Sequence, residues 1–122
     1  MTTQQVADKL VSYCEKADWD NAINELYHAE AVSIEMPGAP GFPPRTQGKD
    51  ALIAKGEQWS NMVETLHGVE VEGPIVAGDH FSCTLKMDVT MKGAPRMINE
   101  EVAIYQVKDG KIVSEQFFYA VK

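Results

Sequence analysis

The feature that most constrains this chain is the alternation between His80 and Lys92. Phe81, Cys83, Leu85, Met87, Val89 and Met91 take every second place, with Ser82, Thr84, Lys86, Asp88, Thr90 and Lys92 between them. Side chains of an extended strand point to opposite faces in turn, so this segment has one apolar face and one wet or interfacial face. It cannot be a helix, and it demands sheet neighbours. These are available on both sides: Thr65–Glu72, Ile75–Ala77, Arg96–Val107 and Lys111–Val121 also read as strands. The segments are punctuated by the turn compositions Gly73-Pro74, Gly78-Asp79, Gly93-Ala94-Pro95 and Asp109-Gly110. The second half of the chain is therefore expected to be an antiparallel meander.

The first half has another period. From Thr3 to Ala17, Val6, Leu10, Cys14 and Ala17, with Tyr13 beside them, recur at three- and four-residue steps, the spacing of one helix face. Asp18 can cap a second, shorter helix with the stripe Trp19, Ala22, Ile23 and Leu26, near whose end His28 is expected to lie. Val32, Ile34 and Met36 alternate with Ser33 and Glu35, predicting a short strand whose apolar face turns Glu35 outward to solvent. Four of the six prolines fall in the one long loop between Pro37 and Gly48, which is either a lid or a stiffened connection. Gly48-Lys49-Asp50 opens a third helix with Leu52, Gly56, Trp59 and Val63 on one face. Three helices segregated from an antiparallel sheet make an α+β fold, and a strongly bent sheet leaves space between itself and its helices. That space is the expected site.

At 122 residues one domain spanning 1–122 is expected, large enough to bury a core without disulfide or metal, so Cys14 and Cys83 read as small buried hydrophobes. No apolar run approaches the roughly 18 residues of a membrane helix, and MTTQQVADKL lacks the basic start and apolar centre of a signal peptide, which points to the cytoplasm. A net charge of −7 with scattered Lys and Arg gives no footprint for nucleic acid or an anionic membrane. His28, His67 and His80 lack metal-ligand spacing, and neither a GxSxG nucleophile nor a Gly-rich phosphate loop occurs. Cofactor-free chemistry, or binding alone, is what remains.

The helix pair turning at Ala17-Asp18-Trp19-Asp20, the strand Ala31–Met36 followed by Pro-Gly, the helix start Gly48-Lys49-Asp50-Ala51-Leu52 and the closing hairpin Tyr105–Tyr119 together resemble the nuclear transport factor 2-like superfamily of cystatin-like α+β cones, and its SnoaL-like members in particular. The resemblance runs nearly end to end. It implies three N-terminal helices on a strongly curved, mainly antiparallel mixed sheet enclosing a conical pocket, and a homodimer across the convex sheet face. It does not by itself imply a reaction, because the superfamily mixes isomerases, cyclases, hydrolases, dehydratases and non-enzymes. Compared with ketosteroid isomerase, Met36 stands where the base would be and Leu10 where the first-helix tyrosine would be, with Tyr13 nearly a turn away. The protonated-acid position falls near Glu100 or Glu101. The same isomerisation is not expected.

The candidate chemistry lies in the closing hairpin, and its register decides which side chains share the pocket. A two-residue turn pairing Lys108 with Lys111 sets Glu100 opposite Tyr119 and Ile104 opposite Glu115. A three-residue turn pairing Val107 with Lys111 sets Glu101 opposite Phe117 and Ala103 opposite Glu115. The second agrees with the resemblance, and it puts Glu101, Glu115, Tyr105, Phe117 and Tyr119 on one side. Two carboxyls near apolar walls can share a proton there, whereas on an outer face they would be solvated. His67, alternating with Val69 and Val71, is expected to point to the apolar side, as a general acid or base or as a core histidine. The expected catalytic set is thus His67, Glu101 and Glu115, with Tyr13, Trp59, Tyr105, Phe117 and Tyr119 as ligand contacts and neither metal nor cofactor. The corresponding function is a cofactor-independent isomerase, lyase or cyclase acting on a small apolar, carbonyl-containing molecule. The alternative is a non-catalytic ligand-binding or dimeric assembly module.

Overall fold

Thr2 starts the first helix in the way a Thr-x-x-Gln sequence allows. Its hydroxyl accepts from the Gln5 amide N–H at 3.1 Å, while the Thr2 N–H donates to Gln5 Oε1 at 2.9 Å. A computed structural model describes residues 1–39 and 41–121. Its helices are α1 (Thr3–Glu15), α2 (Trp19–Leu26) and α3 (Lys49–Met62). The strands are β1 (Tyr27–Ile34), β2 (Arg45–Gln47), β3 (Val63–Ala77), β4 (His80–Met91), β5 (Met97–Lys108) and β6 (Lys111–Phe118). The strands form one open sheet in the order β2-β1-β6-β5-β4-β3, in which only β1 and β6 run parallel. This is the α+β cone architecture expected from the sequence.

One face of the sheet takes the helices. The α1 stripe Val6, Leu10, Val11 and Cys14 and the α2 stripe Ala22, Ile23 and Leu26 are buried against Phe81, Cys83, Leu85, Ala103, Val107 and Ile112. Phe81 and Tyr105, opposite each other on β4 and β5, stack at 4.7 Å. Cys14 and Cys83 are free thiols in this core. Among the described residues no helix is long and apolar enough to cross a membrane.

The structure corrects several local expectations. β1 begins at Tyr27, directly after α2, so His28 lies on a strand, exposed, with its Nδ1 accepting from the Glu30 N–H at 3.0 Å. The proline-rich stretch is not all loop: Arg45–Gln47 pairs with Ile34–Val32 as an edge strand, where Pro43 and Pro44, lying outside the ladder, do no harm. Thr65–Glu72 and Ile75–Ala77 are one strand with a register shift at Gly73-Pro74. Gly73 is required there, because at φ 118° a Cβ would approach the Ser82 carbonyl oxygen to 3.0 Å.

The inward face of β1 also differs from expectation. Ala31 and Ser33 are buried and Val32 and Ile34 half-exposed, so the small and polar residues point to the helices. Val32 and Ile34 instead join an outer face on which Ile98, Val102, Ile104 and Phe118 are 50%, 41%, 38% and 39% exposed. Both faces of β1 are covered or apolar, so alternation of hydrophobicity could not tell inside from outside.

Candidate active site

Between the concave sheet face and the three helices lies a cavity of about 360 Å³, lined in part by Ala39 and Phe42 of the segment after β1. Its walls are aromatic and thioether, among them Trp19, Trp59, Met62 and Met87. Its floor is a chain of polar side chains. The Tyr27 hydroxyl donates to Glu115 Oε1, and the Ser33 hydroxyl donates to Glu115 Oε2 at 2.7 Å. Lys55 Nζ donates to Ser33 Oγ at 2.9 Å and pairs with Glu35 Oε1 at 2.6 Å, while the Tyr119 hydroxyl donates to Glu35 Oε2 at 2.7 Å. Both oxygens of Glu115 and both of Glu35 are thus occupied. Lys55 retains one N–H, and its ammonium lies 5.8 and 5.6 Å from the Phe42 and Phe117 ring centres.

Glu101 faces the same cavity from β5, directly across from Leu85 of β4, and no donor among the described residues reaches its carboxylate. Burial, then the neighbouring Glu35 and Glu115 carboxylates, push its pKa from the ordinary 4.5 to about 7, against the opposing pull of Lys55. Burial likewise raises Glu115, although the Tyr27 and Ser33 hydroxyls favour its ionised form. Burial and the hydrogen bond to Glu35 raise the Tyr119 phenol. An acid with a higher pKa folded than unfolded holds its proton more tightly in the native state. The native state therefore loses stability as pH rises from the unfolded value to about 7. For Glu101 that loss is about 3 kcal/mol. Glu101→Gln is expected to melt well above the wild type at pH 8 and level with it at pH 4; equal melting temperatures at pH 8 would contradict this.

The hairpin register is neither alternative as drawn. Lys108 pairs with Lys111 across Asp109 and Gly110, at φ 52° and 77°, so the turn has two residues rather than the three favoured from sequence. Val113 then stands as an extra residue between the Val107–Ile112 and Gln106–Ser114 pairs. This bulge re-aims everything beyond it, setting Tyr105 opposite Glu115 and Ala103 opposite Phe117. Glu101, Glu115, Tyr105, Phe117 and Tyr119 consequently line one cavity together with Trp59.

His67 and Tyr13 do not join them. His67 is the extra residue of a bulge between the Leu66–Val89 and Gly68–Asp88 pairs, so inward facing passes from Leu66 to Val69 and His67 turns outward. There its Nε2 lies 2.8 Å from Thr90 Oγ1, exposed. Tyr13 donates from its hydroxyl to Glu25 at 2.6 Å, beside the Lys9–Glu25 ion pair on the outer side of α1 and α2. Glu35, expected outward, is inward. Lys55 was legible in part: it shares the α3 stripe of Leu52, Gly56 and Trp59, and a lysine on an apolar stripe is a signal. Tyr27 and Ser33 carried none. Among the described residues no group of three His, Cys, Asp or Glu side chains is placed to hold a metal ion.

The SnoaL-like domain model matches residues 1–119. A Mesorhizobium loti protein provisionally named as a SnoaL-like polyketide cyclase superposes with a TM-score of 0.89 at 35% identity, over 98% of this chain and 100% of that one. A Jannaschia protein with the same provisional name (TM-score 0.78, 17% identity, 95% and 83% covered) shares the fold. So does a Bacillus subtilis protein provisionally named as an isomerase (TM-score 0.75, 19% identity, 98% and 90% covered). No curated protein matches the sequence significantly.

Proposed function

The chain belongs to the SnoaL-like family, and we propose that its one domain is a cofactor-independent isomerase, lyase or cyclase that moves a proton on a small, largely apolar carbonyl compound. The observation that carries this is Glu101: a carboxyl with a pKa of about 7, without a hydrogen-bond donor among the described residues, facing a largely apolar cavity. A base of that pKa is half ionised at neutral pH and strong enough to take a proton from carbon next to a carbonyl. Charge then develops on the carbonyl oxygen, and the remaining N–H of Lys55 is the floor's available donor for it. Glu115, with both oxygens bonded, positions this floor. The protonated Glu101 returns its proton to another carbon in an isomerisation or to a leaving oxygen in an elimination, while attack of the enolate on a second carbonyl closes a ring. The cyclase and isomerase names of the relatives support the same class.

The test is hydrogen–deuterium exchange. Small cyclic ketones and diketones incubated with protein in deuterated buffer are followed by NMR for loss of signal at the carbon beside the carbonyl. Exchange above the buffer rate, abolished by Glu101→Gln, is expected; exchange that is equal with and without protein across the panel would count against chemistry and leave ligand binding.

We propose further that the protein works in the cytoplasm as a homodimer through the outer sheet face, which exposes Ile98, Val102, Ile104 and Phe118 side by side. Ile104→Glu is expected to convert the dimer to monomer in analytical ultracentrifugation with the fold intact. A wild type that sediments as monomer would end the idea.

A further inference from the structure

The charges around the cavity do not balance. Glu35 from the end of β1, Glu101 from β5 and Glu115 from β6 face it against, among the described residues, a single ammonium, Lys55 of α3, already paired with Glu35 at 2.6 Å. The other titratable groups turned toward Glu101 are neutral: the Tyr119 phenol beyond β6, the Tyr27 and Tyr105 phenols, and the Cys14 and Cys83 thiols of α1 and β4. Glu115 is served by two hydroxyls, so Glu101, half-buried in the cavity wall, is the carboxyl left without a paired counter-charge among the described residues. The same cavity is lined by Trp19, Trp59, Phe42 and Phe117, and the faces of such rings attract cations.

We infer that the cavity takes apolar organic monocations, with the ionised Glu101 carboxylate as counter-ion and aromatic rings as walls. This rests on the reading of the cavity as a ligand site and adds a ligand class to it. A neutral ligand leaves Glu101 protonated, whereas a cation supplies the missing charge and displaces the proton. Binding and proton release are then coupled, and affinity rises with pH through about 7, the value that Glu101 holds in the empty cavity.

The experiment compares phenyltrimethylammonium with tert-butylbenzene by calorimetry from pH 5 to pH 9. The two share a shape, and neither titrates, so any pH dependence belongs to the protein. At pH 8 the cation is expected to bind at least tenfold more tightly than the hydrocarbon and to weaken steeply below pH 7; at pH 6, where Glu101 of the empty cavity still holds its proton, binding is expected to release a proton measurable from the buffer dependence of the heat. Glu101→Gln is expected to bring the two affinities together at pH 8 and to leave the hydrocarbon's affinity at pH 5 as in the wild type, whose carboxyl is already neutral there, which also reports an intact cavity. If the hydrocarbon binds equally or better at pH 8, or if the cation's affinity is flat with pH, the cation inference is overturned. Ketone exchange catalysed by Glu101 would stand in that case, so the two proposals fail separately.

Discussion

Glu101→Gln is expected to lower ketone exchange on the order of a hundredfold to ten-thousandfold, the usual contribution of a positioned general base. The amide keeps the shape of the side chain across from Leu85 and loses only the capacity to take a proton. In the wild type, kcat/KM should rise with pH and level off above about 7, because the carboxylate is the active form and its proton leaves at that value. The rising limb should vanish in the glutamine variant along with the rate. A variant that retains wild-type exchange with the same profile would move the base elsewhere, and Glu115 would be the next candidate. The same substitution is expected to stabilise the protein at pH 8, so lower rate and higher melting temperature should appear together. A substitution that merely disturbed the fold would lower both.

The second large effect lies in the Glu35–Lys55 pair, both of whose side chains are largely buried, at 11% and 13% exposure. Lys55→Met removes the ammonium and leaves Glu35 with only the Tyr119 hydroxyl, a buried charge without compensation. A loss of about 3–5 kcal/mol is expected from denaturant unfolding. Glu35→Gln added to Lys55→Met removes the stranded charge as well, and most of the loss should be recovered. The pair would then be worth little in net stability, its value lying in the site it organises. If the double variant is as unstable as the single one, the aliphatic stem of Lys55 against Phe42 and Phe117 matters more than its charge.

Much of the fold followed from the sequence because it depends on local chemistry that repeats. The α1 and α2 stripes, the alternation of β4 and the Asp109-Gly110 turn act within a few residues, and burial of one face then follows from the period alone. Glu101 and Glu115 with the aromatic hairpin residues were visible for the same reason. Their shared face nevertheless arose by a different route from the one the sequence suggested, a tight turn followed by a bulge at Val113 rather than a longer turn.

Tertiary structure decided the rest, and it did so through bulges and close approaches that leave no periodic trace. One extra residue at position 67 reverses every facing beyond it, which turned His67 outward although Val69 and Val71 pack against the core. On β1 the inward side had to be small and polar, because α3 brings Lys55 within hydrogen-bonding reach of Ser33. Apolar alternation therefore pointed Glu35 the wrong way. The period of a strand is written in its side chains; which face it buries is settled by what packs against it.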